Sequence, residues 1–181
     1  MPAKTQATVE DLRRLPADVK AEIVNGELVI LSPTGGAPAR AAGRIYTSLD
    51  RYALQTQAGS AFPDNVGYVV NLPHRASFSP DASFYMGEVG MGFLRGAPLF
   101  AAEVRSEGDY GRLAERALAE KRRDYFAAGT QVVWDVDLLH DDVVRVYRVT
   151  DPATLTVYHR GDVAEAEPAV PGWSMPVDEL F

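Results

Sequence analysis

The chain contains no cysteine, which removes disulfides, thiolate nucleophiles and cysteine-ligated zinc from consideration. Histidine is scarce. His74, His140 and His159 show no metal-ligand spacing, so each reads as a surface histidine. No apolar run approaches the ~20 residues needed to cross a bilayer. Residues 1–18 lack the apolar core of a signal peptide, and a cytoplasmic location is the expectation. Basic charge is also in short supply: 18 Lys and Arg stand against 25 Asp and Glu, a net charge of -7 with a pI near 4.9. A protein that only coats nucleic acid is usually basic. Action on DNA or RNA would therefore need a local basic patch, or metal ions that offset the carboxylates. Ser-His-Asp catalysis has no nucleophile elbow to stand on. Gly87-Glu-Val-Gly-Met-Gly92 is not followed by the helix that a dinucleotide loop requires.

What is present fits one α+β domain over residues 1–181. Hydrophobic residues make up 46% and charged residues 24%, enough for a conventional core. Thr8 and Asp11 have the spacing of a capping box for a short helix from Thr8 to Leu15, ended by Pro16. Asn25-Gly26 marks a hairpin over Ala21–Leu31, and Ser32–Pro38 is a loop. Ala42, Ile45, Leu49 and Tyr52 form the apolar stripe of a helix over Ala39–Gln57. Strands are expected at Gly67–Asn71, Asp81–Tyr85 and Leu99–Arg105, with a mobile Gly-rich stretch over Gly87–Gly96. A second long helix covers Gly111–Ala128, with Gly129 as its C-cap. Strands at Val132–Val136, Val143–Val149 and Thr154–His159 follow, then a packed tail from Pro171. The expected architecture is a mixed sheet flanked by two main helices.

Three polar residues fall on otherwise inward-facing surfaces. In Leu99–Arg105, strand alternation puts Glu103 on one face with Leu99, Ala101 and Arg105. An unpaired carboxylate is costly there, so Glu103 is either a core acid paired with Arg105 or another base, or a functional group. Asp81 follows Pro80 at a strand start, where capping is the commoner role. Lys121 shares a helical stripe with Ala114, Ala117, Leu118, Tyr125 and Ala128. It either snorkels to the edge or meets a buried acid, and Glu103 and Asp81 are the candidates. Arg112, Arg116, Arg122 and Arg123 read as a solvated charged face of that helix. Two carboxylates from neighbouring strands suit Mg²⁺, an oxygen-seeking ion that retains water. A lysine beside them suits phosphodiester cleavage, because it can steady the charge that develops at phosphorus.

These stretches resemble the Uma-two family of endonucleases, within the PD-(D/E)XK superfamily of restriction-endonuclease-like folds. The resemblance runs from about Thr8 to Phe181. It is carried by Ala21-Glu-Ile-Val-Asn-Gly-Glu-Leu28, Ser79-Pro-Asp-Ala-Ser-Phe84, Phe100-Ala-Ala-Glu-Val-Arg-Ser106, Lys121-Arg-Arg-Asp-Tyr-Phe-Ala-Ala-Gly129, Val133-Trp-Asp-Val-Asp137 and Pro171-Gly-Trp173. The resemblance implies a restriction-endonuclease-like core and Mg²⁺-dependent hydrolysis of DNA, with Mn²⁺ as a substitute ion. It makes Asp81, Glu103 and Lys121 the catalytic residues, and Asp81, Glu103 and Glu22 the metal ligands. Arg105 and Tyr125 become substrate-binding residues, and nucleases of this fold often pair as homodimers. Arg105 stands where the superfamily pattern has its lysine, and the helix residue Lys121 takes that part. Asn25 replaces an Asp in the turn, and Glu107 adds negative charge to the loop after the acidic strand. The alternative is a nuclease-fold protein without catalysis, acting as an interaction module.

Overall fold

The computed structural model describes residues 6–16, 18–139 and 143–181, so His140 lies outside the described residues. Thr8 caps helix α1 (Val9–Arg13): the Asp11 N–H donates to Thr8 Oγ1, and the Asp11 carboxylate accepts the Thr8 N–H at 2.9 Å. This helix is shorter than expected, since Pro16 disfavours helical backbone at the residue before it. The Asn25-Gly26 turn, with φ of 52° and 73°, joins β1 (Ala21–Val24) to β2 (Glu27–Ile30) as an antiparallel hairpin. Helix α2 (Gly36–Thr56) starts three residues before the expected Ala39. Pro38 does not prevent this, because first-turn N–H groups have no helical partner to lose.

Five short strands escape the sequence reading. They are β3 (Ser60–Pro63), β5 (Arg75–Phe78), β7 (Leu94–Arg95), β12 (Val163–Glu165) and β13 (Ser174–Pro176). Each spans at most four residues, too few to display a clear alternation. The stretch expected to be mobile over Gly87–Gly96 holds β7, and Leu94 within it is buried. The other strands lie close to expectation: β4 (Tyr68–Leu72), β6 (Ala82–Tyr85), β8 (Phe100–Val104), β9 (Val132–Asp137), β10 (Val143–Arg148) and β11 (Asp151–Tyr158). Helix α3 (Arg112–Ala128) ends at Gly129, whose φ of 110° is easily reached only without a Cβ.

The strands form a six-stranded sheet in the order β11-β10-β9-β8-β6-β3 and a five-stranded sheet in the order β2-β1-β5-β4-β7, while β12 pairs with β13. Within the larger sheet β8 and β9 are parallel, and α3 makes the crossover between them. Its two faces bury different partners. Ala82, Phe84, Phe100, Ala102, Val104, Trp134 and Val136 pack with Ile45 and Leu49 of α2 and with Trp173, Met175 and Leu180 of the tail. On the other face Tyr85, Ala101 and Val133 meet Tyr68, Phe78 and Leu94 of the smaller sheet and Tyr125 of α3. Glu103 alternates with Ala102 and Val104, so it points toward this second layer, between the two sheets and α3.

Helix α3 packs more sparsely than its stripe suggests. Asp124 and Tyr125 are its buried residues, whereas Ala117 is exposed and Ala114 and Leu118 are only partly covered. The helix is thus held mainly by its C-terminal half, where Lys121 and Tyr125 lie.

Candidate active site

Strand register places the first two acids. Ala82 of β6 is paired with Ala102 of β8 in an antiparallel ladder, and one further step sets Asp81 across from Glu103. The Asp81 N–H donates to the Ala102 carbonyl at 3.1 Å, and the Val104 N–H donates to Asp81 Oδ2 at 2.8 Å. Backbone therefore fixes one oxygen of this carboxylate.

Glu103 meets α3 and not its strand neighbour Arg105. Lys121 Nζ donates to Glu103 at 2.9 Å, and the Tyr125 hydroxyl donates to Glu103 Oε1 at 2.6 Å. Of the two readings open for Lys121, the paired one describes the structure. Its side chain is 16% exposed, and the same ammonium is 3.0 Å from Glu22 Oε1. Burial works against the charge of Lys121, but Glu103 and Glu22 outweigh it, so this lysine stays firmly protonated. Glu103 moves the other way. Burial pushes its carboxyl up to about 7, with Asp81 and Glu22 adding to the rise against the pull of Lys121 and Tyr125.

Glu22, the third expected metal ligand, has partners on both of its oxygens. Oε1 accepts the Ser79 N–H at 2.9 Å and faces Lys121, while Oε2 accepts from Arg75 at 2.6 Å. In this arrangement Glu22 anchors Lys121. Arg105 and Tyr125, the expected substrate-binding residues, are held in contacts within the protein. The Arg105 guanidinium grips Asp135 through two hydrogen bonds of 2.6 and 2.7 Å and also reaches Glu115, so its fork has no face left for a phosphate. Tyr125 is fully buried, stacked on Phe78 at 4.1 Å between ring centroids, and its hydroxyl orients Glu103.

Lys20, Asp64, Arg75 and Asp124 have no role in the sequence reading, and His74 appears there only as a surface histidine. Lys20 Nζ lies 3.0 Å from Asp81 and 2.5 Å from Asp64. Arg75 joins Glu22 to Asp124, and His74 Nε2 sits 2.6 Å from Asp124. His74 is half exposed, as expected, yet it closes a chain of polar contacts that leads inward to Lys121. Strand alternation offered a signal for Lys20, which stands two residues before Glu22. Arg75 gave none, because its strand was not legible.

Among the described residues no group of three or more acidic or histidine side chains converges as a closed metal cage. The carboxylates of Asp81 and Glu103 come from paired strands, and each is already hydrogen-bonded, Asp81 to Lys20 and the Val104 N–H and Glu103 to Lys121 and Tyr125. This hard oxygen pair fits Mg²⁺ or Mn²⁺, which are commonly held by one or two carboxylates with water and substrate phosphate completing the shell. An open cleft of about 130 Å³, bordered by Thr34, Pro38, Asp64 and Asp81, gives access from the side of α2.

A mixed sheet with a crossover helix, two acids in register and a lysine returning from that helix define a restriction-endonuclease-like nuclease fold. The sequence model of the Uma2 family, described as "Putative restriction endonuclease", matches residues 9–178, and the chain belongs to that family. Its fold is similar to a crystal structure described as "a putative nuclease belonging to DUF820 from Anabaena variabilis ATCC 29413". The TM-score is 0.74 at 18% identity, covering 97% of this chain and 97% of that chain. No curated protein matches the chain. No helix among the described residues is long and apolar enough to cross a membrane.

Proposed function

We propose that this chain is a Mg²⁺-dependent endonuclease that hydrolyses phosphodiester bonds in DNA. The observation that supports this most is the opposition of Asp81 and Glu103 in adjacent strands, with a protonated Lys121 fixed on Glu103. Asp81 and Glu103 would hold Mg²⁺ or Mn²⁺, which would supply Lewis-acid charge to the phosphate and ease deprotonation of the attacking water. Lys121 is cationic and cannot serve as the base. Its work is to donate hydrogen bonds to the attacking water and to steady the negative charge that builds on phosphorus. Glu22, itself held by Arg75, keeps that ammonium in place, and Tyr125 hydrogen-bonds Glu103. Such preorganisation spares the reaction the cost of arranging these groups at the moment of attack.

Supercoiled plasmid incubated with Mg²⁺ or Mn²⁺ tests the reading. Nicking or linearisation by the wild type, absent without metal and absent in Asp81→Ala, is the expected result. A second reading, a nuclease fold serving as an interaction module, is favoured by one observation: each candidate ligand already carries a lysine, Lys20 on Asp81 and Lys121 on Glu103. No cleavage of DNA or RNA under any of these conditions supports that reading.

A further inference from the structure

Lys20 has no part in the chemistry just described, yet it occupies the Asp81 oxygen that the backbone leaves free. Val104 N–H takes Oδ2 at 2.8 Å, and Lys20 Nζ covers Oδ1 at 3.0 Å. The same ammonium is 2.5 Å from Oδ1 of Asp64. The two acids border one open cleft, and they differ in depth: the Asp64 side chain is 45% exposed and that of Asp81 21%. The lysine backbone is tied down, since the Leu31 N–H donates to the Lys20 carbonyl at 2.9 Å. Motion is therefore confined to its long side chain, which already touches an inner and an outer carboxylate.

We propose that Lys20 is a tethered counter-ion of Asp81, which covers Oδ1 in the metal-free protein and withdraws to Asp64 when a divalent cation takes that oxygen. The inference rests on Asp81 being a metal ligand. An ammonium and a divalent ion cannot share one carboxylate oxygen without strong like-charge repulsion. The ion therefore competes with Lys20 for Oδ1, and an ammonium moved off that oxygen needs a partner. Asp64 supplies one within the same cleft. Lys20 is in this account a positioning residue: it keeps Asp81 aimed at the site when no metal is present and lowers the affinity for the ion.

Calorimetric titration of Mn²⁺ into the full chain at neutral pH tests this without any activity. Lys20→Met and Lys20→Gln should bind Mn²⁺ about tenfold or more tightly than wild type, as expected when a competing charge is removed. Asp64→Asn should bind severalfold more weakly, because the lysine loses its alternative partner. The decisive arm is the double variant Lys20→Met with Asp64→Asn. Once the lysine is gone, the Asp64 change should no longer weaken binding, whereas simple loss of a nearby negative charge would weaken it as much or more. An undiminished Asp64 effect in that background overturns the hand-over. Wild-type binding with equal or weaker binding by both lysine variants overturns the Lys20 inference alone and leaves the metal reading intact. Absence of Mn²⁺ binding in the wild type and in both lysine variants overturns the two together. Where Lys20→Met folds poorly, Lys20→Gln with Asp64→Asn serves as the double variant, with the same expected and overturning outcomes.

Discussion

Arg75 and Glu22 form an ion pair of 2.6 Å in which both side chains are more than nine-tenths buried, and this pair stands directly behind the lysine that holds Glu103. The guanidinium uses separate nitrogens for its two acids, Nη1 on Glu22 and Nε on Asp124 at 2.7 Å. The geometry depends on a planar fork and not on charge alone.

Arg75→Ala should therefore destabilise the fold by about 3–5 kcal/mol, the usual consequence of leaving buried carboxylates without their partner. Arg75→Lys should recover only part of the loss, since one ammonium cannot span both acids. Urea denaturation of the three proteins checks this, and a loss of a few tenths of a kcal/mol would show that the network carries little.

Arg105 should prove structural. Its guanidinium is spent on Asp135 and Glu115, so Arg105→Met should lower the melting temperature while leaving the affinity for DNA unchanged. Fluorescence anisotropy with a labelled duplex separates the two outcomes. A large drop in DNA affinity with unaltered stability would return Arg105 to substrate binding.

The pH dependence of the metal-free protein carries a signature of Glu103. Burial, with Asp81 and Glu22 adding to it, raises its carboxyl from 4.5 to about 7. A raised acid binds its proton more tightly in the folded state than in the unfolded one. Its contribution is fully present below the unfolded value of 4.5 and is lost as pH rises through about 7. Glu22 is shifted in the opposite direction and acts in the acid range. The difference between wild type and Glu103→Gln isolates the effect. Wild-type stability should fall relative to the variant between about pH 4.5 and 7, by an amount on the order of a few kcal/mol. Parallel stability curves across that window would contradict the raised carboxyl.

The long elements were readable because their patterns run far enough to repeat. Ile45 and Leu49 announced α2, and Asn25-Gly26 announced the hairpin. Glu103 and Lys121 were legible as polar groups on apolar surfaces, and their contact at 2.9 Å joins residues 18 positions apart. What surrounds them was not legible. Arg75 sits in a four-residue strand with no periodicity, and Asp124 lies in a helix dense with charged residues that gives its burial no signal. The partner of Arg105 was also hidden, because Asp135 comes from a neighbouring parallel strand whose register only the crossover helix sets. Short strands and inter-strand register are tertiary facts, and local sequence carries little information about either.

Lys121, in the reading proposed here, acts in the chemistry and not as a metal ligand. The measurement that tests it most directly compares Mn²⁺ binding and plasmid cleavage in wild type and Lys121→Ala. The variant should still bind Mn²⁺, as tightly or more tightly because a neighbouring positive charge has gone. Cleavage should fall by ~10²-fold or more, the scale on which a preorganised charge at a transition state is lost. Cleavage at the wild-type rate by a folded, metal-binding Lys121→Ala protein would contradict it.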